Sequence, residues 1–367
     1  MQIKLMTYYF LTLKFIKNLI ISIIIFYLFM SRKKRVAING AGRIGRAIVR
    51  AIYEENFLND IELVAINGSS SVKTLQHLTQ YDSVHGKFYQ PVQIISDNQI
   101  SINQQNILLF NERDPKKLPW QQLDIDIVFE CTGAFTKYQD AYQHITAGAK
   151  RVIISAPAKE DAVKTIVYGV NHQQLKNEDL VISIGSCTTN CLAPVVWALH
   201  QQIGIEKGLM TTIHAYTNDQ NIVDNSHSDL RRARACAMSM IPTSTGAAKA
   251  LGLVLPEMKG KLDGVAIRVP TPNVSMIDLN FLASKNTSVE EINSIMQNYS
   301  QNQLKGIMSY VVEPLVSIDF NHNKFSSNFD ATQTKVLANN FVKVCSWYDN
   351  EWAFSVRMLD MAKLYNF

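Results

Sequence analysis

Short apolar runs closed by glycine dominate the first half of the chain. Arg35-Val36-Ala37-Ile38-Asn39 predicts a short buried strand. It runs into Gly40-Ala41-Gly42-Arg43-Ile44-Gly45, and a helix follows through about Glu55. The apolar stretch 61–66 predicts the next strand. Together these make a βαβ unit, right-handed by rule, with its glycines in the first turn. A G-x-G-x-x-G pattern alone says little. Between a strand and a helix it marks a dinucleotide-binding turn, with Gly40, Gly42, Arg43, Ile44 and Gly45 as candidate contacts. A strand over 124–131 ending at Thr132-Gly133, a helix over 138–149 and a strand over 151–155 continue the alternation. Ligands of such sheets lie at the carboxyl ends of the strands, so Thr132, Gly133 and Ser155 are expected at the crevice.

From Cys187 onward the pattern changes. Strands are predicted over 209–217, 262–270, 275–284, 316–321 and 342–349, with longer connections and few helices. That suggests a mainly antiparallel sheet with helices on one face. Ser288-Val289-Glu290-Glu291 opens one helix as a capping box. Residues 216–240 carry little periodicity and predict a long loop of the functional kind. A last helix, about 351–365, puts Trp352, Val356 and Leu359 on one face. The expected fold is α/β: a Rossmann-type dinucleotide-binding domain (30–186), a mainly antiparallel α+β catalytic domain (187–350) and a C-terminal helix (351–367).

A length of 367 residues suits two domains, and 47% hydrophobic with 18% charged residues suits sizeable cores. Five cysteines at no framework spacing point to a reducing compartment, read as the cytoplasm. Cys187 and Cys191 lie four apart without a ligand cluster around them, so no metal is expected. The formal charge is +5, and Lys4, Lys14 and Lys17 supply three of those charges. The small remaining balance gives no electrostatic case for nucleic acid. Residues 19–30 form an apolar run of twelve. A spanning helix wants about 20 residues, and no small-residue cleavage site precedes Ser31. Residues 1–29 therefore read as an apolar extension from a mis-assigned start, with Met30 as the working first residue and no membrane partner.

The candidate chemistry centres on Cys187. It follows the apolar run 180–184 and a Gly185 break, at the expected start of a helix. Unpaired N–H groups and the helix dipole there favour a thiolate, the form that attacks carbonyl carbon. His214 ends the apolar strand 209–214. A cysteine and a strand-borne histidine make a nucleophile and its base, with Cys191 outside the chemistry.

Ser-Cys-Thr-Thr-Asn-Cys at 186–191 and His-Ala-Tyr-Thr-Asn-Asp-Gln at 214–220 resemble the phosphorylating glyceraldehyde-3-phosphate dehydrogenases, bacterial type. The resemblance runs from about Arg35 to the C-terminus. It implies reversible oxidation of glyceraldehyde 3-phosphate with inorganic phosphate to 1,3-bisphosphoglycerate, through a thioester on Cys187, in glycolysis or gluconeogenesis. It implies phosphate binding by Ser186, Thr188, Thr245 and Gly246, with Thr217 and Arg268 on the substrate-phosphate side. Arg232 is assigned to the attacking phosphate, although the residues alone do not choose among Arg231, Arg232 and Arg234. Asn350 matches the asparagine that holds the nicotinamide carboxamide, and Arg113 a residue near the adenine. A homotetramer is implied, with the 216–240 loop at a subunit interface and the last helix packed on the first domain.

Two positions suggest NADP, with NAD possible. NAD-dependent members carry an acid after the asparagine matching Asn67; here Gly68-Ser69-Ser70-Ser71 follows. Ser226 stands where those members often have proline. Two other departures are Ser183-Ile184-Gly185 before the nucleophile and Ala353 after the final tryptophan. Gly185 is expected to loosen the turn behind Cys187. Erythrose-4-phosphate dehydrogenase shares the cysteine and histidine, but 214–220 and 243–246 keep the glyceraldehyde-phosphate form. A membrane-tethered binding protein on the same scaffold is the remaining alternative, and only the N-terminal run supports it.

Overall fold

The computed structural model describes residues 32–365 and 367. The expectations for residues 1–29 fall outside them. Strand β1 (Lys34–Asn39) lies inside the first sheet, and Val36, Ala37 and Ile38 are fully buried. A strand apolar on both faces must be covered on both. Helix α1 (Arg43–Glu54) follows the glycine turn, then β2 (Ile61–Asn67) and α2 (Val72–Gln80). A meander comes next: β3 (Val92–Ser96), β4 (Gln99–Ile102) and β5 (Gln105–Phe110). The domain continues with β6 (Ile127–Glu130), the short helices α3 (Tyr138–Ala141) and α4 (Gln143–Thr146), β7 (Arg151–Ile154), β8 (Lys164–Thr165) and β9 (Val181–Ser183). Among the described residues the sheet has nine strands in the order β8-β9-β7-β6-β1-β2-β5-β4-β3. From β8 to β5 every neighbour is parallel; β4 and β3 are antiparallel at the edge.

The second sheet is built around α5 (Cys187–Ile203), whose Leu192, Val195, Val196 and Leu199 are fully buried. Its strands are β10 (Ile205–Ala215), β11 (Ile241–Ser244), β12 (Leu262–Val269), β13 (Ser275–Ala283), β14 (Met308–Val311), β15 (Ser327–Leu337) and β16 (Phe341–Tyr348). Helices α6 (Ala247–Val254) and α7 (Val289–Gln301) join α5 in one core. The order is β11-β12-β10-β13-β16-β15-β14. Four of its pairings are antiparallel, while β10–β12 and β14–β15 are parallel. The last helix, α8 (Trp352–Leu364), returns to the first domain, where Trp352, Met358 and Leu359 share a core with α1.

The structure corrects several boundaries. Residues 316–321 form no strand: Ser317–Phe320 is a single 3-10 turn, with the Asp319 carboxylate accepting the Val316 N–H at 2.8 Å. The helix expected over 138–149 is two short pieces ending at Thr146, because Gly148 takes a φ of +104° and closes the end. Strands β11, β14, β15 and the β3–β5 meander were not foreseen. Ser288 caps α7, accepting the Glu291 N–H at 3.2 Å, but the expected capping box is only half made, since the Glu291 carboxylate accepts the Thr287 hydroxyl at 2.9 Å.

Candidate active site

Cys187 is the first residue of α5. The Ser186 hydroxyl caps that helix, accepting the Thr189 N–H at 3.0 Å. The turn before it is held firmly, contrary to expectation. Gly185 has a φ of +72°, which glycine adopts without strain, and its N–H donates to Ser183 Oγ at 2.9 Å. The Asn190 side-chain amide donates to the carbonyls of Ile184 (2.7 Å) and Ser186 (2.9 Å). A glycine here lets the chain turn sharply into the helix, and Asn190 clamps both sides.

His214 Nε2 lies 3.5 Å from Cys187 Sγ. Strand register builds the surroundings. The parallel pairing of β10 with β12 sets Arg268 beside His214, and the antiparallel pairing of β13 with β16 sets Ser275 beside Tyr348. Tyr348 OH lies within hydrogen-bond reach of Thr188 Oγ1 (2.8 Å) and Thr212 Oγ1 (2.9 Å), and its ring meets the His214 ring edge-on. Thr188 is thus a buried wall of the site. Tyr348 was missed from sequence because nothing in its own segment marks it.

Burial pushes the Cys187 thiol above its ordinary value, while the Arg268 charge and the Thr188 N–H pull against it. Burial, then Arg268, push His214 down to about 3, against the Ala215 carbonyl. Both shifts favour the uncharged forms of thiol and imidazole, and the Arg268 charge pulls the thiol the other way. The ring proton has two homes. One Arg268 guanidinium nitrogen is 2.6 Å from His214 Nδ1 and 3.0 Å from the Ala215 carbonyl, and that carbonyl is 2.7 Å from Nδ1. Arginine only donates. While Arg268 donates to Nδ1, the proton sits on Nε2, facing sulfur. When Nδ1–H donates to Ala215 instead, the Nε2 lone pair faces the thiol and can take its proton.

Arg268 is largely buried, and its Nε has no hydrogen-bond partner among the described residues. A buried guanidinium with an unused donor suits an incoming anion. Arg232 lies near it, with Nε donating to Thr243 Oγ1 at 2.8 Å and a terminal nitrogen paired with Asp219 at 3.0 Å. Arg234 pairs with Asp224 on the surface. Thr217 sits in a turn closed by Gln220 Oε1. Thr245 and Gly246 follow strand β11. Strand β11 puts Ile241 against Arg268 and Ser244 against Val265, so the chain leaves the sheet at the end away from Arg268. There Thr245 Oγ1 accepts the Ala247 N–H at the start of α6.

The dinucleotide turn fits its expected ligand. A Cβ on Gly45 would lie 2.1 Å from the Gly40 carbonyl oxygen, and one on Gly40 2.6 Å from the Cys131 backbone. A Cβ on Gly42 would meet nothing within 4 Å. Two glycines close the turn, and the third leaves open space at the N-terminus of α1, of the kind an anion such as a pyrophosphate needs. The Arg43 side chain is not free to join it, being paired with Asp82 and Glu351. Arg43 and Ile44 offer their N–H groups instead. Asn67 joins β1 to β5: its amide donates to Asn39 Oδ1 and the Glu112 carbonyl, and its Oδ1 accepts the Glu112 N–H. Arg113 is exposed on the loop after β5. Ser155 follows β7, its N–H bonded to the Glu130 carbonyl.

Behind these strand ends lies a buried network that sequence reading missed. Asn39 Nδ2 donates to Glu130 Oε2 at 2.6 Å, and Glu130 Oε1 accepts the Thr132 N–H. The Trp120 indole N–H donates to His144 Nδ1 at 3.0 Å. That bond leaves the His144 proton on Nε2, 3.1 Å from Glu130 Oε2. On the catalytic side, Ser275 Oγ accepts the Ala215 N–H and donates to Asn350 Oδ1 at 2.9 Å. The Asn350 Oδ1 is thereby occupied, and its NH2 is the end left for another partner.

Comparisons with known proteins give the family. The family model "Glyceraldehyde 3-phosphate dehydrogenase, NAD binding domain" matches residues 34–138, and "Glyceraldehyde 3-phosphate dehydrogenase, C-terminal domain" matches residues 186–350. The chain is 58% identical over 328 residues to the glyceraldehyde-3-phosphate dehydrogenase of Xanthobacter flavus, covering 89% of this chain and 97% of that one. The chain belongs to the glyceraldehyde-3-phosphate dehydrogenase family. Identity to the chromosomal enzyme of Cupriavidus necator is 56% over the same shares, and to glyceraldehyde-3-phosphate dehydrogenase 2 of Bacillus subtilis 51% over 332 residues, 90% of this chain and 96% of that one. Membership makes the chain an oxidoreductase that uses a nicotinamide dinucleotide. No helix among the described residues is long and apolar enough to cross a membrane, and no cluster of three or more metal-ligating side chains occurs among them.

Proposed function

We propose that the chain oxidises glyceraldehyde 3-phosphate to an acyl phosphate, with Cys187 as nucleophile and His214 as its base. The observation that carries this is the 3.5 Å approach of His214 to the thiol beneath a guanidinium with an unused donor. The substrate phosphate draws Arg268 toward itself. With Arg268 withdrawn, the ring proton moves to Nδ1 and is donated to the Ala215 carbonyl, and the freed Nε2 takes the thiol proton. The sulfur adds to the aldehyde carbon, His214 returns that proton to the resulting alkoxide, and it takes the proton back from the hydroxyl as the carbon is oxidised. The bound nicotinamide supplies the hydride acceptor, with the Asn350 amide as the group that orients it. The acyl group left on sulfur is a thioester, and inorganic phosphate steered by Arg232 attacks it and frees the thiolate. Ser186, Thr188 and Thr217, with Thr245 and Gly246 at the start of α6, are proposed to bind the two phosphates.

The cofactor reading is NADP, with NAD accepted. Gly68 carries no carboxylate, and Ser70 and Ser71 line the space beyond β2. A homotetramer in the cytoplasm completes the proposal. Its support is the 216–240 loop, where Ile222, Leu230, Met238 and Met240 are 65–87% exposed. Leu209 and Val265 also stand exposed on the sheet. Apolar groups gathered this way mark an association surface.

Trapping tests the chemistry. Enzyme, dinucleotide and glyceraldehyde 3-phosphate are mixed without inorganic phosphate, quenched in acid and digested for mass spectrometry. The phosphoglyceroyl adduct is expected on Cys187 and absent from Cys191. An adduct on any other residue, or full turnover by Cys187→Ser, overturns the assignment.

A further inference from the structure

The space beyond the end of β2 is not electrically neutral. It is a cleft of about 320 Å³ lined by Ala41 of the glycine turn, by Gly68, Ser70 and Ser71, and by Asp97 and Asn98. The last two come from the tip of the β3–β4 hairpin. Backbone bonds explain how residues so far apart in sequence meet. The Leu109 N–H donates to the Asn98 carbonyl at 2.8 Å, and the Gly68 N–H donates to the Phe110 carbonyl at 2.9 Å. The hairpin tip and the turn after β2 thus hang from adjacent residues of β5. The cleft also receives the N-terminus of α2, a nine-residue helix capped by Ser71. One side therefore attracts an anion and the other repels it.

We propose that Asp97 is the residue that sets discrimination between the two dinucleotides. Its carboxylate opposes a 2′-phosphate on the adenosine ribose and leaves a 2′-hydroxyl undisturbed. It partly restores, from a different segment, the negative charge missing at Gly68. The inference rests on the reading that the ribose comes to this end of β2. We take a charge separation of about 8 Å, one Debye length at 0.15 M salt. Over that distance, removing one charge that faces a phosphate changes affinity about fivefold at low ionic strength and about twofold at 0.15 M salt.

The test is equilibrium binding to the full chain, measured by calorimetry, with adenosine 2′,5′-bisphosphate and with 5′-AMP. Asp97→Asn is expected to tighten the bisphosphate about fivefold at low salt and leave AMP unchanged. The gain is expected to shrink at 0.15 M salt, and Asp97→Lys to exceed it. An unmoved bisphosphate affinity, an equal shift for both fragments, or a gain indifferent to salt overturns the proposal. Failure of the NADP reading shows separately, as wild-type protein that binds AMP more tightly than the bisphosphate. The ratio between variant and wild type judges Asp97 in either case.

Discussion

Two methyl groups three residues apart are expected to do opposite things. Gly45→Ala places a Cβ 2.1 Å from the Gly40 carbonyl oxygen and 3.2 Å from Ile38 Cγ2. An ordinary contact is well over 3 Å, so α1 must move off β1 by more than an ångström, inside a core where Ile38 and Ile48 are fully buried. Overpacking of that kind costs about 3 kcal/mol or more. Gly42→Ala meets nothing within 4 Å, and the φ of −73° at that position suits alanine. Its stability cost is that of a changed helix N-cap, below about 1 kcal/mol. The methyl group instead occupies the space through which a pyrophosphate reaches the N–H groups of α1. Two charge-assisted hydrogen bonds lost there amount to about 3 kcal/mol, or roughly a hundredfold in dinucleotide affinity. Urea unfolding of both variants, with calorimetric titration of NADP and NAD, separates the outcomes. Wild-type dinucleotide affinity in Gly42→Ala refutes the placement of the pyrophosphate. Wild-type stability in Gly45→Ala refutes the steric argument.

Two further outcomes follow from the structure. Wild-type kcat/KM is expected to favour NADP or be similar for both dinucleotides; a tenfold preference for NAD, about 1.4 kcal/mol in transition-state stabilisation, refutes the cofactor reading. Burial raises the Asp82 carboxyl, but Arg43 and the His85 and Val84 N–H groups outweigh it and hold it at about 2. A carboxyl depressed on folding stabilises fully above its unfolded value near 4, and that stabilisation is lost as pH falls through about 2. With partial solvent screening the contribution is about 1 kcal/mol. Asp82→Asn is expected to lose that amount at pH 7 and to flatten the fall in stability between pH 4 and pH 2; an unchanged slope in urea unfolding across that range overturns it.

Local pattern made most of the first domain legible. The turn at 40–45 needs glycine for reasons that act within a few residues of chain and the adjoining strand, so its spelling survives in the sequence. Cys187 and His214 were legible for a similar reason: each sits in a dense motif at the end of an apolar run. The 316–321 segment misled because Val316 and Ile318 are apolar in a strand-like alternation, yet both are exposed. A lone alternation without a sheet edge to join does not make a strand. The helix at 138–149 was misjudged in length because periodicity does not register the left-handed Gly148.

The sequence by itself determined the opening βαβ unit, the dinucleotide turn and the candidate nucleophile and base. These rest on short-range steric and periodic constraints. Only the tertiary structure decided how the pair is tuned. Arg268 reaches His214 because two parallel strands share a register, Tyr348 because an antiparallel pair ends beside it, and Asp97 nears Gly68 because a hairpin hangs from the same strand. At the thiol, burial opposes the thiolate and the Arg268 charge favours it. Electrostatic interaction depends on distance through space and on exclusion of water, and neither is written along the chain.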